Sequence, residues 1–202
     1  MRLFLVRHGE TYANVARQLD TAFPGADLTD TGREQARALA RNLEHRLERA
    51  GGTAIYTSDL VRTVQTARPL TVSLGIESVS MPGLREIQAG DYEMSTDWVP
   101  FIEAVARWHE FPLDPIPGGD SGVAFLARYD KAIRTIADGG QESAVAVTHG
   151  AAMRVWCATS LGLAPDFFDS RRIDNTLVVT MEGDPDDGWR LLSWGDEPFT
   201  RG

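Results

Sequence analysis

Residues 3–11 read Leu3-Phe4-Leu5-Val6-Arg7-His8-Gly9-Glu10-Thr11: four apolar residues followed at once by an arginine, a histidine and a glycine. A short continuous apolar run with a polar stop predicts a strand buried on both faces. Two other stretches have the same form. Residues 54–56 lead into Thr57-Ser58-Asp59-Leu60-Val61-Arg62, and residues 144–147 lead into Thr148-His149-Gly150. A helical pattern follows each. Strand alternating with helix predicts an α/β fold, a three-layer sandwich with a largely parallel central sheet. In that class ligands gather beyond the carboxyl ends of the strands. Two histidines and two arginines are therefore expected to meet at one sheet edge.

The helices have their own signals. Thr31 with Glu34 three residues later has the spacing of a capping box. Ala36, Leu39, Ala40, Leu43 and Leu47 continue that helix, and Gly51-Gly52 is expected to stop it. A second helix is predicted over residues 59–74 with Gly75 as terminator. A third is predicted over 122–137, with Phe125, Leu126, Tyr129, Ile133 and Ile136 as its buried stripe. Residues 90–119 are irregular, aromatic-rich and punctuated by Pro100, Pro112, Pro115 and Pro117. They read as an excursion with a short helix near 97–109, placed to act as a lid. Residues 176–181 and 189–194 read as a hairpin. No repeat or linker divides the chain, so residues 1–202 are expected to form one domain.

Composition narrows the function. Lys and Arg total 20 against 29 Asp and Glu, a net charge of −9. That balance argues against a nucleic-acid partner and against an anionic membrane surface, but not against a small anion held by a local arginine cluster. No apolar run approaches the roughly 20 residues of a membrane span. The run before Arg7 is also too short for a signal peptide. With a single cysteine, Cys157, no internal disulfide or thiolate metal cluster can form. A cytoplasmic location is expected; homo-oligomerisation is left open.

The residues at the expected sheet edge suit one kind of chemistry. Two guanidinium groups offer forked donors for phosphate oxygens. A histidine beside them can attack phosphorus. Glycines after His8 and His149 let the backbone approach a bound anion closely.

These segments resemble the histidine phosphatase superfamily, also called the phosphoglycerate mutase-like family. LVRHGETYAN carries the R-H-G-E-T signature with Asn14 three residues on; DLTDTGREQA, YTSDLVRTVQTA, GLREIQAGDYEM and VTHGAAMR follow in the family's order. The resemblance covers residues 3 to 154. It implies that His8 becomes phosphohistidine and that Arg7, Arg62 and His149 hold the phosphoryl oxygens. It further implies that Glu86 protonates the leaving oxygen and then activates water. Asn14 and the backbone at Gly150 are candidate phosphate contacts. Neither metal nor cofactor is implied, since arginines supply the positive charge.

Two segments depart from the family's pattern. The acid-bearing segment reads Gly90-Asp91-Tyr92-Glu93-Met94, without the family's final glycine, which suggests a different loop path. Phe23-Pro24-Gly25-Ala26-Asp27 is only loosely like the family's glycine-containing loop. Glu93 and Asp91 compete with Glu86 for the acid role.

Other features read as structural. His45 lies among charges on a solvated helix face, His109 in the excursion, and Cys157 in a buried apolar position. Gly119-Asp120-Ser121-Gly122 looks like the nucleophile segment of chymotrypsin-type proteases, but alternating strand and helix makes Ser121 a helix cap. The expected function is a phosphatase acting on a small phosphorylated metabolite. A phosphoglycerate mutase with the same chemistry is the alternative, and a non-catalytic phospho-ligand binder the third.

Overall fold

The computed structural model describes residues 1–47, 52–162 and 171–199. Among them are strands β1 (Arg2–Arg7), β2 (Thr53–Thr57), β3 (Ser78–Ser80), β4 (Ser143–Thr148), β5 (Val178–Asp184), β6 (Gly188–Trp194) and β7 (Glu197–Pro198). They form one sheet in the order β3-β2-β4-β1-β5-β6-β7. The first four run parallel. The β5–β6 hairpin predicted near the end joins β1 antiparallel and carries β7 at its outer edge. The core strands are thus parallel, as expected, and the antiparallel strands extend one side.

The helices are α1 (Tyr12–Val15), α2 (Asp30–Leu47), α3 (Val61–Leu74), α4 (Val99–Ala106), α5 (Gly122–Ala137) and α6 (Gly150–Leu161). Side chains alternate across a strand, so each apolar run serves two layers. Phe4, Val6, Ile55, Val145 and Val147 pack against Leu39, Leu43 and Leu47 of α2 and Leu70 of α3. Leu3, Leu5, Tyr56, Ala144 and Ala146 pack against Phe125, Tyr129 and Ile133 of α5 and Trp156 of α6. Each fully buried Leu, Val or Phe contributes about 1.5–3 kcal/mol relative to exposure. These two cores make the sandwich three layers deep, with helices on both faces of the sheet.

Helix starts differ from the sequence reading in one instructive case. The cap of α2 is Thr29, not Thr31: the Gly32 amide donates to Thr29 Oγ1 at 3.0 Å, and the Arg33 amide to the Thr29 carbonyl. Thr29 Oγ1 also donates to Glu10 Oε1 at 2.7 Å, tying the helix start to the loop after β1. That long-range bond selects the earlier threonine. The close approach continues at Gly32, where a Cβ would lie 2.1 Å from the Glu10 carbonyl oxygen. The expected stop of α2 at Gly51 lies outside the described residues. Helix α3 begins at Val61 rather than 59, and Gly75 ends it with φ 65° as expected. Ser121 caps α5, accepting from the Ala124 amide at 3.3 Å.

The excursion holds α4 and two 3-10 turns, Gly90–Tyr92 and Arg107–His109, where one short helix was expected. Phe101, Trp108 and Ile116 are buried in the core beneath α5, which anchors its middle. His45 and His109 are exposed and Cys157 is buried. Among the described residues no helix is long and apolar enough to cross a membrane.

Candidate active site

The parallel strands bring His8 and His149 together, with ring centroids 5.3 Å apart. Register does this directly: Arg7 pairs with Thr148, and the His8 amide donates to the Thr148 carbonyl at 3.0 Å. His8, His149 and Arg62 are all buried, at 4%, 0% and 2% exposure.

The two imidazoles are held in opposite tautomers. His8 Nδ1 lies 2.7 Å from the Gly9 carbonyl oxygen, which can only accept. Nδ1 therefore carries the proton and Nε2 keeps its lone pair. Burial first, then the charges of Arg62 and Arg7, pushes the His8 pKa well below the ordinary histidine value. The ring is therefore neutral and Nε2 unprotonated.

His149 Nδ1 accepts from Arg62 Nε at 3.2 Å, so its proton is on Nε2, which donates to Ser58 Oγ at 2.8 Å. Ser58 passes the chain on to Thr63 Oγ1 at 2.9 Å, and Thr63 ends it on the Leu60 carbonyl at 2.8 Å. Burial, then Arg62, keeps His149 neutral as well. Both its ring nitrogens are engaged here, so a phosphoryl oxygen must displace Ser58 or Arg62 to reach one.

Arg62 projects from the first turn of α3. Besides His149 it donates from Nη1 to Asp20 Oδ2 at 3.3 Å and from Nη2 to the Asp20 carbonyl at 2.8 Å. Asp20 Oδ2 also accepts from the Ala26 amide at 2.7 Å, so residues 20–26 seal this side. Arg7, at the end of β1, donates from Nη1 to the Ile173 carbonyl at 2.5 Å. Its Nε is buried and has no hydrogen-bond partner among the described residues. Gly150 lies against it: a Cβ there would stand 3.2 Å from Arg7 Nε. An unpartnered buried guanidinium N–H beside the start of α6 is suited to an anion.

Glu86 sits at the same helix start. Its Oε1 accepts from the Ala152 and Ile87 amides at 2.7 and 2.9 Å, and its Oε2 from Ala151 at 3.1 Å. The competing Glu93 is spent elsewhere. Its carboxylate accepts from the Thr21 amide and hydroxyl and from the Ala22 amide, clamping the loop that holds Asp20. Met94 takes φ 60°, the region glycine enters freely. Asn14 Oδ1 accepts from the Thr11 amide at 3.1 Å and from Asn175 Nδ2 at 3.2 Å, which leaves its own amide group to the site.

Sequence reading missed Asp20, Ser58 and Asn175. Ser58 stands inside the segment that carries Arg62, so its place after a strand was a usable signal. Asn175, which donates to the His8 carbonyl at 3.0 Å, and Asp20 come from loops without periodicity. Beyond Arg7 opens a cleft of about 440 Å³ lined by Asn14, Arg17, Trp98, Arg172 and Asp174 among others. Among the described residues no group of three or more His, Cys, Asp or Glu is placed to hold a metal.

Comparison with known proteins identifies the family. Residues 3–197 match the family model Histidine phosphatase superfamily (branch 1). A probable phosphoglycerate mutase GpmB of Yersinia enterocolitica is 30% identical over 97% of this chain and 93% of its own length. The PE-PGRS family protein PE_PGRS11 of Mycobacterium tuberculosis is 33% identical over 96% of this chain, which spans only 36% of that longer protein. A mycobacterial glucosyl-3-phosphoglycerate phosphatase, solved with VO3, superposes with a TM-score of 0.78 at 27% identity, covering 96% of this chain and 98% of its own. The chain belongs to the histidine phosphatase superfamily, branch 1.

Proposed function

We propose that this protein is a phosphatase that hydrolyses a small phosphorylated metabolite through phosphorylated His8. The observation that carries the reading is His8 itself, a buried neutral imidazole with its proton held on Nδ1 and Nε2 unprotonated. Nε2 attacks phosphorus and the bond to the ester oxygen breaks. Arg7 and Arg62 bind the non-bridging oxygens as charge shifts, joined by the Gly150 amide and Asn14. Glu86, once protonated, gives its proton to the leaving oxygen. It then takes one from the water that attacks phosphohistidine, so inorganic phosphate leaves and His8 returns to its starting state. His149 acts by holding Arg62 in place and by packing beside His8. Residues 3–197 work as one catalytic unit with residues 90–119 as its rim.

The mutase reading is kept because GpmB proteins are among the relatives. It requires phosphohistidine to survive until product is rephosphorylated, and hence a pocket closed to water. The cleft beside Arg7 is open, which favours hydrolysis. Release of inorganic phosphate from a panel of phosphate esters, run beside isomerisation of 3-phosphoglycerate with and without 2,3-bisphosphoglycerate, tests the choice. Phosphate release without primer is expected, and it should persist in EDTA. Primer-dependent isomerisation with negligible phosphate release would make the protein a mutase.

A further inference from the structure

We infer that Arg128 and Asp120 are positioning residues for Glu86, holding the backbone from which its carboxyl works. This rests on the phosphatase reading above and deepens its acid step. Glu86 stands in a stretch, residues 85–89, that forms neither helix nor strand. Its backbone carbonyls have no ladder to satisfy them and must find partners elsewhere.

Most of those partners come from one side chain. Arg128, projecting from α5, donates from Nη1 to the Gly83 and Arg85 carbonyls at 3.2 and 2.8 Å. From Nη2 it donates to the Glu86 carbonyl at 2.6 Å. The carbonyl between, of Leu84, accepts from Thr148 Oγ1 at 2.8 Å, one residue before His149. Every carbonyl from 83 to 86 is thus held by a side chain 42 to 64 positions away in the chain. Asp120 completes the grip. Its Oδ2 accepts from Arg128 Nη2 at 2.8 Å and from the Gln88 amide at 3.0 Å, and its own amide donates to the Gln88 carbonyl at 3.4 Å.

The guanidinium is itself fixed. Its Cζ lies 4.9 Å from the ring centroid of Phe125, which is wholly buried. A planar fork can serve three carbonyls and a carboxylate at once, a pattern the point charge of a lysine does not match. Gly83 lets α5 come this close, since a Cβ there would stand 2.9 Å from the Arg128 carbonyl oxygen. The Glu86 carboxyl, meanwhile, rests on the Ala151 and Ala152 amides at the start of α6. Residue 86 is therefore held at its backbone from α5 and at its carboxyl from α6. Misplacing a reacting group by about 1 Å can slow a step by about 10²-fold. An arginine that served stability alone would affect every substrate alike. One that places Glu86 affects the esters that need its proton.

The test is the rate of phosphoenzyme formation, by rapid quench, with the best alkyl phosphate of the panel and with 4-nitrophenyl phosphate. Arg128→Gln should slow the alkyl ester by about tenfold or more and the nitrophenyl ester by less than about threefold. Added to Glu86→Gln, it should slow the alkyl ester by less than about twofold further, because the group it positions is already gone. Asp120→Asn removes the charge and keeps the shape, and should show the same selective loss in weaker form; it carries the test if Arg128→Gln does not fold. Equal losses on the two esters in the variant that carries the test, no loss on either, or an undiminished further loss beside Glu86→Gln would overturn the inference alone. If Glu86→Gln itself slows both esters equally, Glu86 is not the acid and the inference falls with it. No phosphoenzyme from any ester would overturn the phosphatase reading.

Discussion

Nδ1 of His8 donates to the carbonyl of the next residue, and that one bond leaves Nε2 unprotonated, as the proposed nucleophile must be. The same burial has a cost in acid. The unfolded chain binds protons at both histidines near pH 6.5, whereas the fold, whose His8 and His149 pKa values are lowered, does not. The unfolded state then holds more protons, so stability falls as pH drops below about 6.5, by up to ~1.4 kcal/mol per pH unit per histidine until the folded pKa is reached. Denaturant melts between pH 7.5 and 5.5 should show that slope, and His8→Gln should remove one proton's share of it. An unchanged slope would mean that His8 titrates normally in the fold. Glu86 makes a second prediction at this scale. If it protonates the leaving oxygen, Glu86→Gln should slow an alkyl phosphate by about 10²-fold or more. A nitrophenyl ester, whose leaving group needs little protonation, should lose much less in phosphoenzyme formation. Equal losses would make Glu86 a positioning residue that ties residue 86 to the start of α6.

At the level of single elements, helix α2 separates local from long-range signals. Its apolar stripe was legible, because Ala36, Leu39, Ala40, Leu43 and Leu47 recur with helical period and are all buried. Its start was not. Thr31 and Glu34 have capping-box spacing, but the cap is Thr29, chosen by a bond to Glu10 nineteen residues away in the chain. Thr29→Ala should therefore lower stability by about 1 kcal/mol, and Thr31→Ala by much less. Chemical denaturation of the two variants decides between the caps; a larger loss at Thr31 would restore the capping box. The loop at 20–26 was illegible for a related reason. Asp20 and the Glu93 clamp have no periodicity, and only the fold brings them within reach of each other's loops. The excursion was partly legible: its prolines and aromatics marked it as irregular, while the burial of Trp108 and Phe101 depends on the core they share with α5.

Over the whole molecule, the three-layer architecture was legible because the strand runs are apolar on both faces and each ends in a polar segment. Parallel register then carries those endings to one edge, which is why His8, Arg62 and His149 were readable as neighbours from positions far apart in the chain. The hydrogen-bond partners that orient them were not, since Ser58, Asp20 and Asn175 act through geometry rather than spacing. Every role proposed for these residues depends on phosphoryl transfer to His8 Nε2. The most direct measurement is rapid quench of the protein with a ³²P-labelled ester, followed by acid and base treatment of the labelled chain. Label that is lost in acid, persists in base and is absent from His8→Ala is the expected result. Label that survives in His8→Ala, or turnover by that variant at the rate of the parent, would contradict it.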